Sequence, residues 1–152
     1  MATQQVIFKV NDGEYGLDVS NVNAIETLTN VVPVPNAANH ILGIMNLRGD
    51  VLPVFSLRTK FGLQEVPVSE QTKIIVTKSN GVTIAIKVDE VKEIIECDDS
   101  NLTDFPSIAR SQDTAYVDRV AKHNGRLILL LNQDRLLKAD EAEAISQLVS
   151  NV

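Results

Sequence analysis

Residues 43–57, GIMNLRGDVLPVFSL, place a polar Asn46-Leu47-Arg48-Gly49 turn between two strongly apolar runs. Gly43 and Gly49 bracket that turn, and glycine is the residue that most readily takes positive φ or lets another backbone approach closely. Beyond it, Val51, Leu52, Pro53, Val54, Phe55 and Leu57 are apolar on both alternating faces, the pattern of a strand covered on two sides, in a core or between two subdomains. Pro53 has no N–H to donate, so at that point the strand is expected at a sheet edge or a bulge. Arg48 has two readings. Its guanidinium either ties loop carbonyls or a carboxylate together and fixes the turn, or lies exposed in a groove and contacts a partner.

Working outward, Val31–Pro35 (VVPVP) reads as a stiff extended connector, because proline fixes its own φ and biases the residue before it away from the helical region. Before it, Val6, Phe8 and Val10 alternate with polar residues up to an Asn11-Asp12-Gly13 turn, and Tyr15, Leu17 and Val19 form the return strand. A short segment then carries Val22, Ile25 and Leu28. On the other side, Lys60 to Thr72 reads as a surface loop. Val82, Ile84, Ile86 and Val88 alternate cleanly after the Ser79-Asn80-Gly81 turn, and residues 115–121 and 126–131 form a second hairpin through His123-Asn124-Gly125. Between them, near Phe105, one helical turn is expected. Asp140 and Glu143 have capping-box spacing, and Ile145, Leu148, Val149 and Val152 recur at helical intervals, which predicts one amphipathic helix over about 140–150.

The chain also repeats itself. Setting Tyr15 on Ile84 aligns YGLDVSNVNAI with IAIKVDEVKEI, pairing Val22 with Val91 and Ile25 with Ile94. VIFKVNDG matches IVTKSNG, and GDVLPVF matches GRLILLL when Gly49 is set on Gly125. Ser20 then falls on Asp89, and both residue types cap helix starts, so each copy is expected to pass through a short helical segment after its second strand. Two copies of one all-β unit follow, each closing into a small barrel that removes exposed edges.

Composition narrows the function classes. The chain has 152 residues, 44% hydrophobic and 22% charged, the make-up of an ordinary folded protein. With 4% aromatics and no Trp, its core must come from Val, Ile and Leu, which suit pleated strands. A formal charge of −6 argues against nucleic-acid binding through the overall field. No basic-apolar leader opens the sequence and no run reaches the roughly 18 to 20 apolar residues of a membrane span, so a cytoplasmic protein is expected, without membrane insertion. Two histidines, His40 and His123, and the single Cys97 show no metal-ligand spacing, and no P-loop, nucleophile elbow or dinucleotide fingerprint appears. No metal, no cofactor and no enzyme activity are therefore expected. Cys97 reads as a small packing residue, since Glu96, Asp98 and Asp99 would raise its pKa.

The stretch GIMNLRGDVLPVFSLRTKFG closely resembles the signature of the CheW-like family of bacterial chemotaxis adaptors. VIFKVNDGEYGLDVSNV, VVPVP, the GxxNLRG turn, PVxxLR, IKVDEV and RLILLLNxDxLL all fall in the family's order. The resemblance implies an all-β fold with a short C-terminal helix: two intertwined five-stranded SH3-like barrels in a single CheW-like domain over 1–152. It implies a non-catalytic scaffold that couples methyl-accepting chemoreceptors, through their cytoplasmic tip, to the regulatory domain of the histidine kinase CheA. It also implies recruitment to membrane-associated receptor arrays and CheW–CheA rings. Carried over by motif position, Val22, Ile25, Gly43 and Arg48 border an apolar receptor groove between the barrels, and Asn46, Leu47 and Gly49 build the turn. Many relatives carry an acidic residue where Ala24 stands, which leaves Val22 and Ile25 to carry more of the binding. No phosphotransfer, ATPase or receiver segment accompanies the domain, so a stand-alone adaptor is favoured. The alternatives are an adaptor of another chemosensory pathway, such as surface motility, or a ligand sensor or enzyme on the same shell.

Overall fold

Eleven strands in two sheets make up the chain, in a computed structural model that describes residues 2–35, 37, 40–111 and 114–150, with side chains to Gln147. In order they are β1 (Thr3–Val10), β2 (Gly13–Asp18), β3 (Val22–Thr27), β4 (Ile41–Leu47), β5 (Asp50–Ser56), β6 (Lys73–Ser79), β7 (Val82–Val88), β8 (Glu90–Cys97), β9 (Leu102–Asp104), β10 (Val117–His123) and β11 (Arg126–Leu131). One short helix, α1 (Leu57–Lys60), follows β5, and α2 (Ala139–Ser150) ends the described chain.

The sheet orders show how the duplicated units combine. The first sheet runs β8-β1-β2-β11-β10-β9 and the second β3-β6-β7-β5-β4. Each sheet therefore takes the opening hairpin of one copy and the last three matching strands of the other. The alignment of the copies holds to the residue. Val6 faces Ile94 across β1 and β8, and its match Ile75 faces Ile25 across β6 and β3. Gly16 pairs with Leu130 in the parallel β2–β11 ladder, as its match Ala85 pairs with Val54 in the parallel β7–β5 ladder. The isolated Val32–Ile44 bridge has its counterpart in the pairing of Thr103 with Val120. Reciprocal exchange of strands is the physical content of "intertwined".

Three apolar clusters divide the interior. Ile7, Ile95, Cys97, Ala121, Ile128 and Leu130 fill the first barrel, and Met45, Leu52, Val54, Ile74, Val76 and Ala85 fill the second. The third and largest lies between the barrels, where Phe8, Leu17, Phe55, Ile75, Ile86, Leu131, Leu136 and Ile145 meet. Strand period 2 explains the division: in β5, Leu52 and Val54 point into the barrel while Phe55 points to the shared core. The strand expected to be covered on both faces is so covered.

Pro53 lies in a strand with neighbours on both sides rather than at a sheet edge. Its missing N–H is tolerated because the ladder to β7 begins at Val54, and because Ile44 opposite spends both backbone groups on Val32, at 2.8 and 2.9 Å.

Other expectations need adjustment. The first sheet has six strands rather than five, because the short β9 adds to β10 at its edge. The helical turn near Phe105 is a 3-10 turn at Ser107–Ala109. Only the first copy has a helical segment after its second strand, a 3-10 turn over Val19–Asn21, and its cap is Asp18 rather than Ser20. In the second copy Asp89 spends its carboxylate on Arg58 and the Asn11 N–H, so the chain merely bends there. The C-terminal helix starts one residue earlier than expected, and the Lys138 N–H donates to Glu141 Oε1 at 3.0 Å, so the capping pair is Lys138 and Glu141. Ala142 and Ile145 of that helix are buried in the shared core; the side chains of Leu148, Val149 and Val152 lie outside the described residues.

Candidate partner-binding site

Strand β3 forms one edge of the second sheet and β4 the other. Arg48, in the β4–β5 turn, pairs with Glu26 of β3. The pair bridges the two edges, and Ala24, Leu28, Leu42 and Leu47 pack on the barrel interior beneath it. The two edges close over that apolar interior, with the NLRG turn at their seam.

The turn itself is strained at Arg48. Its φ is +53° and that of Gly49 is +92°, matching Asn80-Gly81 (+50° and +82°) and Asn124-Gly125 (+51° and +77°) in the other tight hairpins. Positive φ at both central residues is the type I′ geometry, for which Asn-Gly is the favoured pair. Arginine is a poor choice there on backbone grounds, which points to a use for its side chain. The turn is braced by Asn46, whose Oδ1 accepts from the Gly49 N–H at 2.9 Å. Of the partners considered for Arg48, the structure gives it a carboxylate, that of Glu26, and not the turn's carbonyls. Asn46 already satisfies the turn, so the guanidinium reaches across to Glu26 and remains 74% exposed.

The remaining site residues differ in character. Ile25 is 39% exposed on the outer side of β3, adjacent in the chain to Glu26 but on the opposite face of the strand. Val22 is half-buried against the shared core, at the point where the chain passes from the first barrel to the second. Gly43 is buried; a Cβ there would sit 2.2 Å from the Val32 carbonyl oxygen, so glycine is what lets the VVPVP connector lie on β4. Leu47 packs against the second barrel's interior. The structure thus pairs Arg48 with Glu26, the residue after Ile25, leaves Ile25 on the opposite, outer face of β3, sets Val22 further along the same strand toward the first barrel, and gives Gly43 a backbone role.

Two contributors were missed in the sequence. Glu26 lies two residues beyond Ala24, hence on the same face of β3, so the strand keeps an acid on that face, displaced by one side-chain position. That alternation was legible. The hydrogen bond from Asn21 Nδ2 to Gln133 Oε1, 3.0 Å, joins residues remote in sequence and was not. It borders a cleft of about 320 Å³ at the end of the first sheet, lined also by Asp18 and Asp118. No cluster of three or more His, Cys, Asp or Glu able to hold a metal ion occurs among the described residues.

Comparison with known proteins places this architecture. The chain is 29% identical to the chemotaxis protein CheW of Rhizobium meliloti, with 91% of this chain and 90% of that protein covered. It is 30% identical to the chemotaxis protein CheW of Helicobacter pylori, over 90% of this chain and 82% of that one. Among solved structures, the scaffolding protein TtCheW from Thermoanaerobacter tengcongensis superposes with a TM-score of 0.82 at 28% identity, covering 93% of this chain and 96% of that one. The model of the CheW-like domain matches residues 4–141, and the chain belongs to the CheW-like domain family.

Proposed function

We propose that this protein is a non-catalytic adaptor that couples chemoreceptors to the kinase CheA in chemotaxis signalling, built as a single CheW-like domain over residues 1–152. The observation that carries the reading is the β3 edge: an exposed Ile25 on its outer face, followed in the chain by Glu26, which pairs with an arginine held at positive φ. Such an edge offers an apolar contact flanked by a fixed charge pair, which suits a helical receptor tip reading i, i+3 and i+4 positions. Val22, Ile25 and Arg48 are its contacts, and Gly43, Asn46, Leu47 and Gly49 hold their shape. The regulatory domain of CheA occupies a separate face, so that one molecule bridges two partners and alternates with CheA in rings. No helix among the described residues is long and apolar enough to cross a membrane. We assign array membership to binding of the cytoplasmic receptor tip and of CheA.

The test is a three-component reconstitution with a soluble receptor signalling fragment and CheA. Kinase activity should respond to the receptor fragment only when this protein is present. Failure to bind either partner at high micromolar concentration would end the proposal.

A further inference from the structure

We infer that Gln133, acting through Asn21, is a positioning residue that latches the partner-binding strand β3 against the first barrel, and that the Arg58–Asp89 pair is its fixed counterpart at the other crossover. The inference rests on the reading of β3 as the receptor-binding strand. It starts from the exchanged topology, in which the chain passes between barrels after β2 and again after β7. Matching copies would lead one to expect equivalent ties at the two crossings. They are not equivalent.

At the second crossing Asp89 is gripped from both barrels. Arg58 donates through Nε at 2.9 Å and Nη2 at 2.6 Å, and the Asn11 N–H adds a third bond at 2.7 Å. The Asp89 N–H in turn donates to the Lys9 carbonyl at 3.0 Å. A bidentate guanidinium–carboxylate pair fixes angle as well as distance. With Arg58 only 13% exposed and Asp89 25%, solvent competes little for it.

At the first crossing no charge pair is found among the described residues. The Asn21 carbonyl is fixed to the second barrel by the hydroxyl of the buried Thr77, while its side chain reaches out to Gln133 in the first. That arm is one neutral amide–amide bond, worth less than a charge-assisted pair, and it borders the open cleft lined by Gln5, Asp118 and Leu130 of the first sheet. Val22 is the next residue in the chain. Any opening of the latch therefore moves the start of β3 relative to the first barrel, while the Arg58–Asp89 side stays closed. Further along, the Leu137 N–H donates to the buried Ser79 hydroxyl at 3.1 Å, which keeps the shared core joined when the latch opens.

Two pairs of spin labels test this in the full chain. One pair sits at cysteines placed at the exposed Asn23 and Asp118, beside the latch; the other at the exposed Asp12 and Gln64, beside the clamp. The native Cys97 is buried, so the label is expected to attach only at the introduced cysteines. Gln133→Leu removes the acceptor at similar size, and Gln133→Glu restores it. The Asn23–Asp118 distance distribution should broaden in Gln133→Leu and recover in Gln133→Glu, with the Asp12–Gln64 distribution unchanged in both. Affinity for the receptor fragment should fall several-fold in the first and return in the second. Unchanged latch distances in Gln133→Leu, or no recovery in Gln133→Glu, overturn the latch. Broadened distances with unchanged receptor affinity overturn its positioning role. If wild-type protein binds no receptor fragment, the proposed function fails, and the distances still decide the latch.

Discussion

Arg48 and Glu26 are joined across the two edge strands of the second barrel, one from the strained β4–β5 turn and one from β3. The guanidinium is mostly exposed, so the pair adds little to folding, about 0.2–1 kcal/mol. Its proposed role is to hold a cation at the β3 edge that carries Ile25. Arg48→Asn separates these roles. Asparagine suits the left-handed position, where other L-residues pay roughly 1–2 kcal/mol, and it removes the charge. Urea denaturation should show stability equal to or slightly above wild type, while receptor-fragment affinity falls several-fold. Loss of stability by more than about 1 kcal/mol would show that the arginine braces the fold after all.

Val22 and Ile25 should part company. A charge at Val22 enters the margin of the shared core, so Val22→Arg is expected to cost about 1–3 kcal/mol as well as binding. Ile25→Arg meets solvent on the outer side of β3 and should lower stability by no more than about 0.5 kcal/mol while weakening receptor binding as strongly. Thermal melts beside titrations of the receptor fragment make the comparison. Intact binding in Ile25→Arg would remove that residue from the site.

Gly43→Ala tests the connector. The added Cβ would lie 2.2 Å from a backbone oxygen that cannot move without breaking the Val32–Ile44 bridge, so a loss of roughly 2–4 kcal/mol is expected. Gly49→Ala is the control: it meets nothing within 4 Å but must hold φ at +92°, and should cost about 1–2 kcal/mol. If the two variants have equal stability in urea, the close approach is not what requires glycine at 43.

Acid should weaken the clamp. Burial by itself would raise the Asp89 pKa and is the largest single influence, but the bonds from Arg58 and the Asn11 N–H, with the charges of Arg58 and Lys87, together hold it below the usual carboxylate range. A depressed folded-state pKa contributes stability that is complete above the unfolded value, about 3.9, and lost as the pH falls through the folded one. Asp89→Asn should therefore be less stable than wild type at neutral pH, by about 1–2 kcal/mol, with the gap closing as the pH falls below about 4. A gap that persists at the lowest pH at which both fold assigns its cause to packing.

Cys97 should be inert in the folded protein. It is fully buried within the first barrel, and burial pushes its thiol pKa up. A thiol reagent should label it only after unfolding, in a single step whose rate follows the opening of the barrel. Rapid labelling in native buffer would mean that the β8 edge opens on its own.

The strand pattern, the connector, the turns and the internal duplication were all legible, because alternation, proline and Asn-Gly pairs act locally. The alignment of the two copies is kept in the registers, since Val6–Ile94 and Ile75–Ile25 are the same pair in two copies. What the alignment could not say is which copy each strand would join, for a strand of either copy presents the same apolar face to either barrel. Exchange is settled by the crossings after β2 and β7 and by the core that Phe8, Phe55, Ile75 and Leu131 build between the sheets. The site divides the same way. From sequence alone come a glycine-bracketed arginine and an apolar strand. Only the tertiary structure pairs Arg48 with Glu26, ties Asn21 to Gln133 and gives the turn's bracing to Asn46, because the first two contacts join segments that meet only when the barrels close, and the third leaves the guanidinium free to reach across the seam.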